Sequence, residues 1–297
     1  MQTQTEIRAM LQAAGLHPQR QFGQNFLIDK NLMAKLLELA GDLRRTVVLE
    51  VGPGTGSLTE ELLDQARRVV AVEIDRGLCR CLRLRFANRE NFTLICGDVL
   101  AGKHAIQPEV TNALGPRATV VANLPYSIAT PLLAECFVGS WRAIRNAQSA
   151  CVIDSMTVTV QSEVADRILA KCNCGQYGPI SVLVSLLAKV VAGPAIPAQA
   201  FWPRPKVASR MLRLNFDPQA AERLSDIDAL VYILRTAFGQ RRKQIGSIAR
   251  SIKTGEQDDH LTEAIEAAGV DSRLRAEQIS PEAFASLANC LSSWSNT

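Results

Sequence analysis

A parallel α/β sheet covered by helices, followed by a smaller helical domain, is the fold this 297-residue sequence predicts. Three observations carry that expectation. Short β-branched apolar runs alternate with helical patterns from about residue 46 onward. A turn with three glycines in five positions, Gly52-Pro53-Gly54-Thr55-Gly56, joins the first such run to the helix after it. From about Asp217 only helical patterns remain, so the expected domains are 1–216 and 217–297.

Taken in order, residues 5–14 read as a short helix capped by Thr5, with Gly15 past its end. A polar loop over 19–28 leads to Asp29, the expected cap of a second helix that stops near Gly41. Strand, helix, strand, helix and strand are then expected at 46–51, 58–66, 68–74, 78–86 and 92–96, with a further strand at 118–122. Apolar segments around Cys151 and over 180–191 are expected to extend the sheet, and 209–215 reads as its last strand. Helices are expected at 227–238, 240–252, 261–268 and 281–291.

Composition excludes several classes. Apolar residues at 47% and charged residues at 21% describe a globular chain, not a disordered one. The start, Met1-Gln2-Thr3-Gln4-Thr5-Glu6, has neither the basic nor the apolar block of a signal peptide. The most apolar stretch, 180–191, contains Lys189 and ends at Gly193-Pro194, too short to cross a membrane. A soluble cytoplasmic protein is expected. In Cys79-Arg80-Cys81 and Cys172-Asn173-Cys174 only one residue separates the thiols, unlike common zinc and redox motifs, so reduced thiols are expected. With three histidines in all, a histidine metal centre or His-based nucleophilic catalysis is not expected.

The most informative stretch is Asn123-Leu124-Pro125-Tyr126, at the end of the apolar run Ala118-Thr119-Val120-Val121-Ala122. Open α/β sheets place their chemistry at such strand ends. The Asn123 side-chain oxygen accepts hydrogen bonds, and the Leu124 carbonyl is a second candidate acceptor. Pro125 has no N–H and holds Leu124 extended. Tyr126 adds a face on which a planar base can stack. Two acceptors beside one aromatic suit an exocyclic amine on a flat ring, such as adenine N6. Two acids complete the pattern. Glu73 ends the strand after the glycine turn, about twenty residues on, where a carboxylate can accept ribose hydroxyls. Asp98 ends the next strand.

Gly52-x-Gly54-x-Gly56 is neither a P-loop nor the dinucleotide fingerprint; it resembles the cofactor loop of S-adenosylmethionine-dependent methyltransferases. Together with Asn123 to Tyr126, the chain resembles the ribosomal RNA adenine N6-dimethyltransferase family, in the branch acting on small-subunit RNA. Gln24-Asn25-Phe26-Leu27, Glu50 to Gly56, Glu73, Asp98 and Phe201-Trp202-Pro203-Arg204-Pro205-Lys206-Val207 match the family's motifs. So do Gln161 to Arg167, Tyr177-Gly178, Phe238 to Lys243 and Arg275 to Ser280, and the match spans about 17–290. Ser127, Ala129, Trp202 and Arg204 depart from many relatives.

The resemblance implies a Rossmann-like methyltransferase sheet with a C-terminal helical domain that binds RNA. It implies a cofactor site for S-adenosylmethionine, without metal, lined by Asn25, Leu27, Gly52, Gly54, Glu73, Asp98 and Asn123. It implies that Asn123, Leu124 and Tyr126 face the target adenine, with Tyr126 and Phe201 as the faces that clamp it. The implied reaction is dimethylation of N6 of two adjacent adenosines in a loop near the 3′ end of small-subunit RNA. The implied partner is that RNA in a pre-30S particle, with no membrane and no obligate protein partner. Residues 201–253 contain eleven Lys and Arg against four Asp and Glu, an excess above the whole chain's +4. Arg241, Arg242 and Lys243 are therefore expected at RNA phosphates. Two alternatives stay open: a macrolide-resistance-type enzyme acting on large-subunit RNA, and a non-catalytic assembly or transcription factor on the same fold.

Overall fold

The protein is described from a computed structural model that covers residues 1–102, 105–145, 151–251 and 256–295. In chain order its elements are α1 (Gln4–Ala13), β1 (Phe26–Leu27), α2 (Lys30–Ala40), β2 (Val47–Val51), α3 (Ser57–Gln65), β3 (Arg68–Glu73), α4 (Arg76–Arg85) and β4 (Phe92–Cys96). There follow α5 (Pro108–Leu114), β5 (Arg117–Asn123), α6 (Ala129–Arg145), β6 (Val152–Gln161), α7 (Ser162–Leu169), α8 (Pro179–Leu187), β7 (Ala188–Ile196), β8 (Phe201–Trp202) and β9 (Ser209–Phe216). The chain closes with α9 (Pro218–Ala221), α10 (Ile227–Gly239), α11 (Ile245–Ser251), α12 (Glu256–Ala267) and α13 (Pro281–Ser295).

Helix starts follow from side-chain oxygens that satisfy the first free amides. Asp29 accepts from Asn31 and Leu32 at the head of α2, and Asp75 accepts from Gly77 and Leu78 at the head of α4. The first helix starts earlier than expected. Thr3, not Thr5, is its cap, because Thr3 and Glu6 bond each other's backbone amides in a capping box. The 180–191 segment is mostly helix rather than strand. Pro179 stands at the first helical position of α8, and Ser181 accepts the Gly178 amide. Burial on nearly all sides hides the period that would have separated the two. Only from Ala188 does the backbone extend. The expected 240–252 helix begins at Ile245, and its expected end, 252, lies outside the described residues.

Seven strands form the main sheet in the order β4-β3-β2-β5-β6-β9-β7. The pairs β2–β3, β3–β4, β2–β5 and β5–β6 are parallel, and β9 returns antiparallel to β6. The chain runs outward through β2, β3 and β4, then crosses back to lay β5 on the other side of β2. That reversal opens a crevice beyond the carboxyl ends of β2 and β5. A second, two-stranded ribbon pairs β1 with β8. On one face of the sheet, Leu36 and Leu62 are fully buried in a cluster with Val48, Val69 and Val121. Each such leucine contributes about 1.5–3 kcal/mol by leaving water.

Contacts divide the chain into two units: Met1–Ala165 with Val190–Phe216, and Asp166–Lys189 with Asp217–Thr297. The second thus contains a segment, 166–189, that the expected boundary at 217 gave to the first. Within this second unit the Tyr177 hydroxyl donates to the Ile279 carbonyl at 3.0 Å, and the Tyr177 ring packs edge-on to Phe238. Among the described residues, no helix is long and apolar enough to cross a membrane.

Candidate active site

One cavity occupies the crevice of the first unit, lined by residues from the ends of β2, β3, β4 and β5. Asn25, Leu27, Gly52, Gly54, Glu73, Asp98, Asn123, Leu124 and Tyr126 all line it. Nine residues spread over a hundred positions of sequence therefore meet at one sheet edge. Phe201, expected as a clamping face, is not among the lining residues. It lies 3% exposed in the core with Leu27, Ala200 and Met211, because β8 pairs it with Leu27. Its neighbour Trp202 is partly exposed, stacks on Phe26 with centroids 6.3 Å apart, and lies under the Arg8 guanidinium at 5.0 Å.

The glycine turn is shaped by close approach. Gly52 has φ +69°, and a Cβ there would stand 3.0 Å from Pro125 Cγ. Gly54 has φ +62°, and a Cβ there would stand 2.8 Å from Phe26. A side chain at either position meets both backbone strain and a ring. The turn is also tied from outside, since Arg85 Nη1 donates to the Thr55 carbonyl at 2.7 Å.

Two carboxylates lie beneath this turn. Glu73, 4% exposed, accepts the Gly54 amide at 3.0 Å on one oxygen and the Asp75 amide at 2.9 Å on the other. Burial raises its pKa, and the amide hydrogen bonds oppose the rise. Glu50 lies on β2, 2% exposed, and accepts from the Thr59 hydroxyl at 2.7 Å. Burial pushes its carboxyl up to about 8, against the Thr59 hydrogen bond and with some help from the charge of Glu73. Asp98, by contrast, is exposed and accepts the Leu100 amide.

The Asn123 side is organised by orientation. Its Nδ2 donates to the Asn25 carbonyl at 3.0 Å. A carbonyl can only accept, so this contact fixes which end of the amide faces Asn25 and directs Oδ1 away from it. Asn25 Nδ2 in turn donates to the Gly23 carbonyl at 3.0 Å. The Leu124 amide is held by the Thr159 carbonyl. The Tyr126 hydroxyl and the buried Ser209 hydroxyl share a hydrogen bond at 3.0 Å, which fixes the half-buried ring. Burial raises the Tyr126 pKa, so the phenol stays protonated at neutral pH.

Gln24 and Glu50 were named in the sequence only as motif members, and Asp75 and Ser209 were given no role. Asp75 does two things: one oxygen caps α4, and the other accepts Gln24 Nε2 at 3.0 Å and Gln19 Nε2 at 3.3 Å. It thereby anchors the loop that presents Asn25. The sequence signal was its place two residues after Glu73. In the second unit, Arg241 donates to Glu277 at 2.7 Å and to the Gly175 carbonyl at 2.9 Å, while Arg242 and Lys243 are exposed. Among the described residues, no three His, Cys, Asp or Glu side chains gather as a metal set.

A parallel sheet with this strand reversal, glycine turn and acid-ended strands defines a Rossmann-like methyltransferase domain. The chain belongs to the ribosomal RNA adenine dimethylase family, whose pattern matches residues 16–293. It is 36% identical to a ribosomal RNA small subunit methyltransferase A of Moorella thermoacetica over 289 residues, covering 95% of this chain and 96% of the relative. A protein of the same name from Phenylobacterium zucineum is 37% identical, covering 97% of this chain and 93% of the relative. Among solved structures, a dimethyladenosine transferase from Plasmodium falciparum shares the fold, with a TM-score of 0.66 at 21% identity over 88% of this chain and 95% of that one. The 23S rRNA methyltransferase ErmE aligns with a TM-score of 0.56 at 25% identity, over 90% of this chain and all of that one.

Proposed function

We propose that this protein transfers methyl groups from S-adenosylmethionine to N6 of two adjacent adenosines near the 3′ end of small-subunit ribosomal RNA. The observation that carries the reading is the Asn123 amide: its nitrogen is committed to Asn25, which leaves its oxygen as the acceptor beside the Tyr126 ring. The glycine cradle fits the cofactor, since Gly52 and Gly54 line the cavity with bare backbone at positive φ, which lets a ligand approach closely. Asn25, Leu27, Gly52, Gly54, Glu73 and Asp98 are the residues to hold it, with Glu73 and Asp98 accepting from its ribose and adenine. When bound, S-adenosylmethionine supplies an electrophilic methyl group on a sulfonium.

The chain's own residues act on the nucleophile. Adenine N6 is weakly nucleophilic because its lone pair is delocalised into the ring. Hydrogen bonds from N6 to Asn123 Oδ1 and the Leu124 carbonyl favour a pyramidal nitrogen and direct its lone pair into the cavity. Tyr126, locked by Ser209, presents a face for a base drawn out of its stack. Alignment supplies most of the acceleration, and the N6 proton is lost after transfer. Arg242 and Lys243 are the proposed phosphate contacts, while Arg241 ties together the two separate segments that carry Glu277 and Gly175. The reaction belongs in the cytoplasm, on a pre-30S particle.

The test is transfer of labelled methyl groups to unmethylated small and large ribosomal subunits, with nucleoside analysis of the product. N6,N6-dimethyladenosine in the small subunit alone is expected. Label in large-subunit RNA would move the reading to the macrolide-resistance type. Folded, cofactor-binding protein that labels neither would leave a non-catalytic factor.

A further inference from the structure

The β4 edge of the cavity carries two thiols that methyl transfer does not use. Cys96, the last residue of β4, is exposed, stands opposite Glu73 in the β3–β4 register, and precedes Asp98 by two positions. Cys79, buried in the first turn of α4, donates its thiol to the Glu73 carbonyl at 3.4 Å. The Gly97 amide donates to that same carbonyl at 2.8 Å. One oxygen therefore holds both the Cys79 thiol and the peptide that follows Cys96. One turn beyond Cys79, Arg83 donates Nη2 to Cys96 Sγ at 3.3 Å. Cys79 and Arg83 are four residues apart, so they share one face of α4, and both converge on Cys96.

From these contacts we propose that Cys96 and Cys79 form a peroxide-reactive pair whose oxidation to a disulfide disables the adenosine end of the cofactor cavity. The effect on the cofactor rests on the function proposed above; the thiol chemistry does not. The division of labour follows from the surroundings. Cys96 is exposed and so is the thiol that a peroxide reaches from solvent, with the Arg83 guanidinium beside it. A buried thiol hydrogen-bonded to a carbonyl stays protonated until it is used, and burial raises the Cys79 pKa strongly.

The steps balance with a hydroperoxide as oxidant. The Cys96 thiolate attacks one peroxide oxygen, the O–O bond breaks, and the departing hydroxide takes a proton to become water. Cys96 is left as the sulfenic acid. The Cys79 sulfur then attacks the Cys96 sulfur, the S–O bond breaks, and the leaving hydroxide takes the Cys79 proton as a second water. Two thiols and one hydrogen peroxide give one disulfide and two waters. A disulfide needs its sulfurs at about 2.05 Å, so Cys79 must leave the Glu73 carbonyl and draw the Cys96-Gly97-Asp98 segment toward α4. That segment borders the cavity through Gly97 and Asp98.

The experiment uses the full chain, reduced and then treated with hydrogen peroxide, with non-reducing peptide mapping and S-adenosylmethionine titration on the same samples. A Cys79–Cys96 cross-linked peptide is expected. With it, the cofactor dissociation constant should rise roughly tenfold, the size of one lost hydrogen bond to a charged group, and dithiothreitol should reverse the rise. Cys96→Ser should bind cofactor like the reduced wild type and ignore peroxide. Cross-links among other cysteines, with Cys96 unlinked, would overturn the pair. A Cys79–Cys96 link that leaves the dissociation constant unchanged would overturn its effect on the cavity. Failure of the reduced wild type to bind cofactor would instead sink the cofactor reading, while the peptide map still judges the thiols.

Discussion

The two sides of the cavity are built in opposite ways. On the side of β2 and β3, the two buried carboxylates are satisfied within the chain, since Glu73 holds two backbone amides and Glu50 holds Thr59, and the glycine turn presses on Phe26 and Pro125. On the side of β5, one hydrogen bond at 3.0 Å commits the Asn123 amide nitrogen to the Asn25 carbonyl and leaves the oxygen as its acceptor end. In the proposed function the first side is a mould for the cofactor, and the second is an aimed acceptor. A mould fails gradually when its walls are altered, because binding energy is spread over many contacts. An aimed acceptor fails at once, because alignment in the transition state depends on it.

The sharpest way to break this comparison is Asn123→Ala. Turnover is expected to fall by roughly 10²–10³, as when one transition-state hydrogen-bonding group is lost, while cofactor still binds measurably by calorimetry. Wild-type-like turnover would remove Asn123 from the chemistry. Glu73→Ala comes next: the cofactor dissociation constant should rise about tenfold or more, with loss of hydrogen bonds to a charged group. An unchanged constant would mean that the carboxylate serves only the turn. Gly52→Ala adds a Cβ at φ +69° and 3.0 Å from Pro125. A loss of about 1–3 kcal/mol in unfolding free energy is expected, read from urea denaturation.

A pH slope tests the same side of the cavity through its buried charge. Glu50 has a folded pKa near 8, above its ordinary carboxylate value, because burial disfavours its charged form. Between the unfolded and folded pKa values the native state binds more protons, so stability falls as pH rises from about 4.5 to about 8 and levels off above. In Glu50→Gln that slope should flatten, as seen by comparing unfolding midpoints at pH 5.5 and pH 8. The same slope in both proteins would mean that Glu50 is not protonated in the folded state. Part of the slope survives in the variant, since the Glu73 pKa is also raised by burial.

Much of the sheet was readable locally. Strand 92–96 coincides with β4, and Asp29 and Gly41 bracket α2 as expected, because caps and alternation are properties of neighbouring residues. In the 180–191 segment burial erases the period that would mark its helix, and β1 and β8 are two residues long, too short to carry any. Phe201 shows the limit most clearly. An aromatic in a proline-rich segment offers no local sign of which way it faces, and its pairing with Leu27 turned it into the core. Arg241 is similar, since its basic run gave no hint of Glu277 and Gly175 as partners.

By itself the sequence determined the α/β class, the glycine turn, the acids at 73 and 98 and the Asn123 tetrapeptide, because each is written in adjacent residues. Only the tertiary structure decided that the Asn123 nitrogen is committed to the Asn25 carbonyl, that Asp75 anchors the Asn25 loop, and that Cys79 shares the Glu73 carbonyl with the peptide after Cys96. Those contacts join residues that are far apart in the chain, and their geometry exists only once strand order and register have brought them together.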